Sequence, residues 1–273
     1  MAESNIVVCS EEQCHNLEEK QKIIDKEPFR GLKIDDAHIL DTVEGREICE
    51  HCYRSRKFFC YTCYTPVIDQ KYFPRVKLPI KIDIIKHPRE IEGKSTAKYY
   101  ETKSKTAVSI ENLFIKEVQQ DGKTFIERIK NEYPIKRAIF IDSTWHQTKS
   151  IYKDQRLRDL RCVVLKSRMS QFWRHQKKSP RWYLATIEAV HQFLVELHTC
   201  AFDILECAYR DNQSVEEEEA ALMTTGQNNS AFYSNKKYDG RYDNLLYFFK
   251  YMYEKIHTIY DHDKLWAYKR PLI

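Results

Sequence analysis

Apolar positions along this chain gather in short runs rather than long stripes. Val76 to His87 (VKLPIKIDIIKH) is β-branched and stops at His87-Pro88, which predicts a strand ending in a turn. Lys136–Asp142 (KRAIFID) and Leu160–Lys166 (LRCVVLK) are continuous apolar runs bounded by charge, the pattern of buried parallel strands. Between them, Ser109–Lys130 spaces Ile110, Leu113, Phe114, Val118, Phe125 and Ile129 at helical intervals, broken at Gly122. Ser179-Pro180 opens a further helix with Ile187, Val190, Phe193, Leu194 and Leu197 on one face. Leu245–Ile256 (LLYFFKYMYEKI) reads as a final aromatic helix that packs back on the body. Strand and helix alternate, so the expected fold is α/β, a parallel sheet with helices on both faces.

The same patterning divides the chain. Residues 1–35 are charged and weakly periodic, a flexible tail; 36–75 form a Cys-rich, aromatic-rich module; 76–210 form the main α/β domain. Residues 211–240, with the acidic run Glu216–Glu219, read as a linker or insertion before the C-terminal helix of 241–273.

Composition then narrows the chemistry. Only six glycines occur in 273 residues, at 31, 45, 93, 122, 226 and 240. Walker loops and G-x-G-x-x-G turns need clustered glycines to bring N–H groups against phosphate, so both are excluded. Net charge is +5, yet Lys153–Arg181 alone holds ten Lys/Arg against Asp154 and Asp159. Such a block fits either a polyanion partner or a solvated basic face. Met1–Lys33 has no apolar core, so no secretory signal is expected, and the most apolar long run, Tyr183–Leu205, carries Glu188, Glu196 and Asp203. An intracellular protein without membrane partners follows, with reduced thiols.

Nine cysteines in a reducing compartment point to metal or catalysis. Cys49-x-x-Cys52 and Cys60-x-x-Cys63 are two knuckles seven residues apart, a closed four-cysteine set suited to one structural Zn2+, in a zinc-ribbon-like module. A closed site has no open position, so its role is folding rather than Lewis-acid chemistry. Arg54, Arg56, Lys57 and nearby aromatics equally suit the module to nucleic-acid contact.

In open α/β sheets ligands sit beyond the carboxyl ends of strands. Asp142 stands there, followed by Ser143, Thr144 and Trp145. A carboxylate at that position suits a base or an orienting group, and an indole suits stacking on a base or adenine. The same residues equally suit an N-cap and a core aromatic.

Asp142-Ser143-Thr144-Trp145 resembles the signature of the DTW-domain family of tRNA-uridine aminocarboxypropyltransferases. Upstream, His87-Pro88-Arg89-Glu90 and Lys94-Ser95-Thr96 are similar to the family's His-Pro-x-Glu and Ser-Thr elements. Downstream, Ser170-x-Phe172-x-Arg174 and Leu184-Ala185-Thr186-Ile187-Glu188-Ala189 follow its remaining elements in order, with Ala185 where the family usually has Ser. The resemblance implies a SPOUT-like, knotted α/β fold that binds S-adenosylmethionine without a Gly-rich turn, in agreement with the glycine count. It also implies transfer of the 3-amino-3-carboxypropyl group of S-adenosylmethionine to N3 of a D-loop uridine in tRNA, with methylthioadenosine released. A nuclear location is implied only by the animal members.

Residue by residue, the resemblance makes Asp142 the candidate base for N3, with Thr144 and Trp145 beside it. It gives His87, Glu90, Ser95, Thr96, Arg174, Thr186 and Glu188 to the cofactor, although a helix cap competes for Glu188. Arg168, Lys177, Lys178 and Arg181 are the candidate tRNA contacts, and Cys49, Cys52, Cys60 and Cys63 the zinc ligands. Two other readings stand beside this one, a SPOUT-like RNA methyltransferase and a non-catalytic zinc-ribbon RNA-binding protein.

Overall fold

The computed structural model describes residues 11–89, 95–96, 135–163, 165, 169–176, 179–200, 238–270 and 272, with backbone alone for 11–17 and 145–146. The expected helix over 109–130, the insertion from 211 to 237, and Glu90, Arg168, Lys177 and Lys178 therefore lie outside the described residues, as does part of the expected strand over 160–166.

The chain enters through α1 (Glu11–Lys26), where the sequence predicts a loose tail. The helix has few apolar positions, but acids open it and Lys26 closes it, in the sense the helix dipole favours. A polar network holds it in place. Asp25 is buried and receives both guanidinium arms of Arg181 at 2.5 and 2.6 Å, plus Gln21 at 2.7 Å and Gln171 at 2.9 Å.

The Cys-rich module follows as two antiparallel miniature hairpins, β1 (Glu47–Ile48) with β2 (Ser55–Arg56), and β3 (Phe59–Cys60) with β4 (Thr65–Pro66). Strand β5 (Lys81–Lys86) starts later than the sequence run, because Pro79 has no N–H to donate to a ladder. It pairs in parallel with β6 (Arg137–Asp142), Lys81 opposite Arg137 and Lys86 opposite Asp142. Ile82 and Ile84 face the core, while Asp83 on the other face is buried and paired with Arg137 at 3.0 Å. Short helices α2 (Trp145–Tyr152) and α3 (Gln155–Arg158) come after β6, then α4 over 186–200 and α5 (Tyr247–Ile259).

Two cores result. The larger packs Ile82 and Ile84 of β5 against Ile187, Val190, Leu194 and Leu197 of α4, with Phe249 of α5. The smaller packs Ala37 and Leu40 against Tyr247, Phe248 and Tyr251 of α5, with Phe58, Phe59 and Phe73 of the Cys module alongside. Among the described residues the architecture is mixed α/β with one parallel pair and two small antiparallel ones. No helix among them is long and apolar enough to cross a membrane.

The Asp25–Arg181 pair generates the first prediction. Asp25→Ala strands a buried guanidinium, so urea unfolding should show a loss of about 3–5 kcal/mol. Burial opposes the Asp25 charge, but hydrogen bonds from Arg181 and Gln171 overcome it and hold the carboxyl below its usual range. This contribution should be full above about pH 4 and vanish as the pH falls through the depressed value, so wild type and variant should converge in strong acid.

Candidate functional site

Strand β6 delivers Asp142 to the edge of the larger core, and pairing continues one residue past β5 through His87 N–H to the Asp142 carbonyl at 3.0 Å. The Asp142 side chain is 6% exposed and receives two hydroxyls, Ser95 on Oδ2 at 2.5 Å and Thr186 on Oδ1 at 2.7 Å. Residues separated by 47 and 44 positions in sequence thus meet on one carboxylate. Thr96 joins them from its neighbouring position, its Oγ1 accepting from Ile187 N–H at 3.3 Å.

The start of α4 explains the geometry. The first helical bond runs from Ala189 N–H to the Ala185 carbonyl, so Ala185 is the N-cap, and the helix begins later than Ser179-Pro180 suggests. Glu188 Oε2 accepts from Ala185 N–H at 2.8 Å and from Ser170 Oγ at 2.6 Å, while Oε1 accepts from Gln171 N–H at 2.7 Å. This is half of a capping box. The hydroxyl half is missing because residue 185 is Ala, and Thr96 supplies an acceptor for the second turn position from another segment. Glu188 is fully buried and engaged in this cap.

Thr144 is the N-cap of α2, with Gln147 Oε1 accepting from its N–H at 3.0 Å, and it is exposed. Trp145 opens α2, its side chain outside the described residues. His87 is half-buried beside Asp142, its Nδ1 accepting from Arg89 N–H at 3.1 Å. Arg181, expected on a tRNA-facing surface, is 2% exposed and bonded to Asp25, so no phosphate can reach it. The basic run conceals that partner, which lies 156 residues away.

Arg174 instead faces a cavity of about 320 Å³. One wall comes from the Cys module through Arg46, Arg56 and Lys57. Ser95, Thr96 and Trp173 form another side, and Phe248, Phe249 and Met252 of α5 close it. Ser95 belongs to both the cavity and the Asp142 junction. Sequence reasoning missed Arg46, Trp173 and Met252; no local motif marks them, because the walls come from four separate segments.

The four cysteines come together. Their Sγ atoms all lie within 4.8 Å of one another, and Cys52 and Cys60 are 3.5 Å apart. Tetrahedral zinc–thiolate bonds of about 2.3 Å require sulfurs about 3.8 Å apart, so the set fits one metal ion. Both knuckles fold alike: Tyr53 N–H bonds the Cys49 carbonyl at 2.8 Å, and Tyr64 N–H bonds that of Cys60 at 2.7 Å. Each tyrosine then takes a left-handed backbone, φ 56° and 57°, which side chains other than Gly rarely adopt. Burial works against a Cys60 thiolate, but the N–H groups of Cys63 and Thr62 outweigh it and bring Cys60 down to about 6. Burial, followed by the neighbouring sulfurs, pushes Cys63 up to about 12. Without a cation the cluster does not favour ionising all four thiols; a bound dication would.

A DTW domain matches residues 99–257, which include the Asp142–Trp145 signature, Arg174 and the start of α4. The chain belongs to the DTW-domain family. It is 33% identical over 284 residues to tRNA-uridine aminocarboxypropyltransferase 1 of Xenopus tropicalis, covering 84% of this chain and 86% of the relative. It is 34% identical over 291 residues to the human protein of the same name, covering 86% and 85%, and 32% identical over 291 residues to the mouse one, again 86% and 85%. No solved structure matches it.

The Thr96 cap generates a prediction for α4. Ala185→Ser restores a hydroxyl at the N-cap and should raise unfolding stability by about 0.5–1 kcal/mol. In that background Thr96→Val should cost less than it does in the wild type, a coupling readable from a double-mutant cycle.

Proposed function

We propose that this protein is a tRNA-uridine aminocarboxypropyltransferase, transferring the 3-amino-3-carboxypropyl group of S-adenosylmethionine to N3 of a D-loop uridine. The observation that carries the reading is the meeting of three distant family elements on one buried carboxylate, Ser95 and Thr186 on Asp142, at the carboxyl end of a parallel strand pair. Support comes from relatives that bear this name over most of their length and of this chain. The parallel pairing of β5 and β6, with the site beyond their ends, also supports a SPOUT-like arrangement.

The reaction joins uridine N3 to the methionine γ-carbon and breaks that carbon's bond to sulfur, releasing methylthioadenosine. The sulfonium leaves readily, so the chain's main tasks are in-line positioning and removal of the N3 proton. Both Asp142 oxygens already receive hydroxyl hydrogens. The N3 proton therefore moves to one of these hydroxyls as that hydroxyl passes its own hydrogen to Asp142. Thr186 bonds the carboxylate, the His87 N–H holds the Asp142 carbonyl, and Glu188 holds the loop of Ser170 and Gln171 in place. Lys153, Arg158 and Arg161 are exposed on the basic segment and, with Arg168, Lys177 and Lys178, form the proposed tRNA-docking surface.

The four-cysteine cluster is the proposed structural Zn2+ site. Metal analysis should give about one zinc per chain, and chelation should unfold the module, because such sites fold with their metal. A folded, metal-free protein would remove zinc from the account.

Mass spectrometry of tRNA nucleosides and of the small-molecule product tests the activity. Methylthioadenosine with an aminocarboxypropyl-uridine is the expected pair; S-adenosylhomocysteine would make the protein a methyltransferase instead. Asp142→Asn can still accept from one hydroxyl and donate to the other, so it should fold and bind tRNA. Its turnover should fall by roughly 10²–10⁴-fold and recover partly at high pH, where N3 ionises unaided. Near-wild-type turnover would reduce Asp142 to a structural residue.

A further inference from the structure

The cavity between the Cys module and the body has a lopsided chemistry. Its polar wall carries four cations, Arg46, Arg56, Lys57 and Arg174, and among the described residues that line it there is no carboxylate. Arg56 is 6% exposed, lies over the Tyr61 ring at 3.8 Å, and its Nε finds no acceptor among the described residues. The remaining surface is dominated by aromatic rings, Trp173 and Phe248 among them, with the flexible Met252 at its edge.

These features choose between the two substrates. S-adenosylmethionine carries an ammonium and a sulfonium against one carboxylate, so a wall of cations repels it on balance and offers its ammonium no anionic partner. An RNA nucleotide has the opposite needs, an anionic backbone and a flat base that stacks on aromatic faces. We propose that this cavity receives an unpaired nucleotide of the RNA substrate, its base on the aromatic side and its phosphates on Arg46, Lys57 and Arg174. The inference rests on the transferase reading above and adds two things to it. The Cys module becomes a wall of the acceptor site, and Ser95, which lines the cavity and donates to Asp142, becomes the hydroxyl facing the base. Arg174, Ser95 and Thr96 then serve the acceptor nucleotide, and the donor lies on the Thr186 side of Asp142.

Two variants test this without threatening the fold, since Lys57 and Met252 are both exposed. Met252→Trp fills the mouth of the cavity, and Lys57→Glu reverses one of its charges. Binding of an unmodified tRNA transcript is measured by fluorescence anisotropy without S-adenosylmethionine, and S-adenosylmethionine binding by equilibrium dialysis without tRNA. Each variant should weaken tRNA about tenfold or more, the scale of losing one stacked base or phosphate contact, and Lys57→Glu should also flatten the salt dependence. S-adenosylmethionine affinity should stay unchanged. Weakened S-adenosylmethionine binding with intact tRNA binding would make the cavity the donor site and overturn the proposal, as would two variants that bind both ligands like wild type. Failure of the transferase reading shows separately, as no methylthioadenosine from the wild-type protein with tRNA.

Discussion

Helix α5 is shared by both hydrophobic cores, and the position of everything around the cavity depends on that sharing. At 3.6 residues per turn, Tyr247 and Tyr251 stack on one side of the helix and Phe249 and Tyr253 lie on nearly the opposite side. The first pair enters the smaller core with the Cys module; Phe249 enters the larger core, and both Phe249 and Tyr253 meet Phe29 edge-on at 6.3 and 5.2 Å. Each buried aromatic contributes about 1.5–3 kcal/mol, so neither face can be released cheaply. Between the faces lie Phe248, Met252 and the flank of Phe249, and these are the α5 residues that border the cavity. The cavity is therefore the gap left where two cores diverge from one helix.

That constraint ties the four-cysteine cluster to the cavity. Phe59, next to Cys60, meets Phe248 at 5.3 Å, and Phe58 meets Tyr251 at 5.6 Å. The two miniature hairpins are too short to be stable alone. Once four sulfurs fix their turns, the hairpins can press these rings onto α5 and carry Arg46, Arg56 and Lys57 to the cavity. A metal held by these four cysteines would set the position of that cationic wall without itself lining the cavity.

What the sequence revealed follows the range of the interactions involved. The knuckles are legible because each C-x-x-C is local, and Asp142 because a charged residue ends a short apolar strand. Arg181 was misplaced because its partner, Asp25, sits in a segment whose lack of apolar residues reads as a loose tail. A polar anchor leaves no periodic signal. The helix start at 186 was legible in principle, since Ala185-x-x-Glu188 carries the acidic half of a capping box. The missing hydroxyl hid it, and its replacement, Thr96, lies 91 positions before Ile187, whose N–H it accepts. The cavity is assembled from four segments; family elements mark two of them, at Ser95-Thr96 and Phe172–Arg174, but nothing local shows that they meet the Cys module and α5 around one space.

The two buried carboxylates at the start of α4 show why one is suited to chemistry and the other is not. Glu188 receives two backbone N–H groups and one hydroxyl. Peptide N–H groups neither rotate nor give up their hydrogens, and losing an acceptor there would strand buried donors. Among the described residues, the Asp142 carboxylate receives two side-chain hydroxyls, Ser95 and Thr186, and no backbone N–H. A hydroxyl both donates and accepts and can turn about its C–O bond, so it can hand one hydrogen on while taking another. The difference lies in the partners rather than in the acids, and it follows from where each residue falls: Glu188 three places into a helix, within reach of free N–H groups, and Asp142 at a strand end where the backbone is already paired. A carboxylate held by rotatable hydroxyls beside a cationic cavity is equipped to move a proton, and one held by peptide groups is equipped to fix a loop.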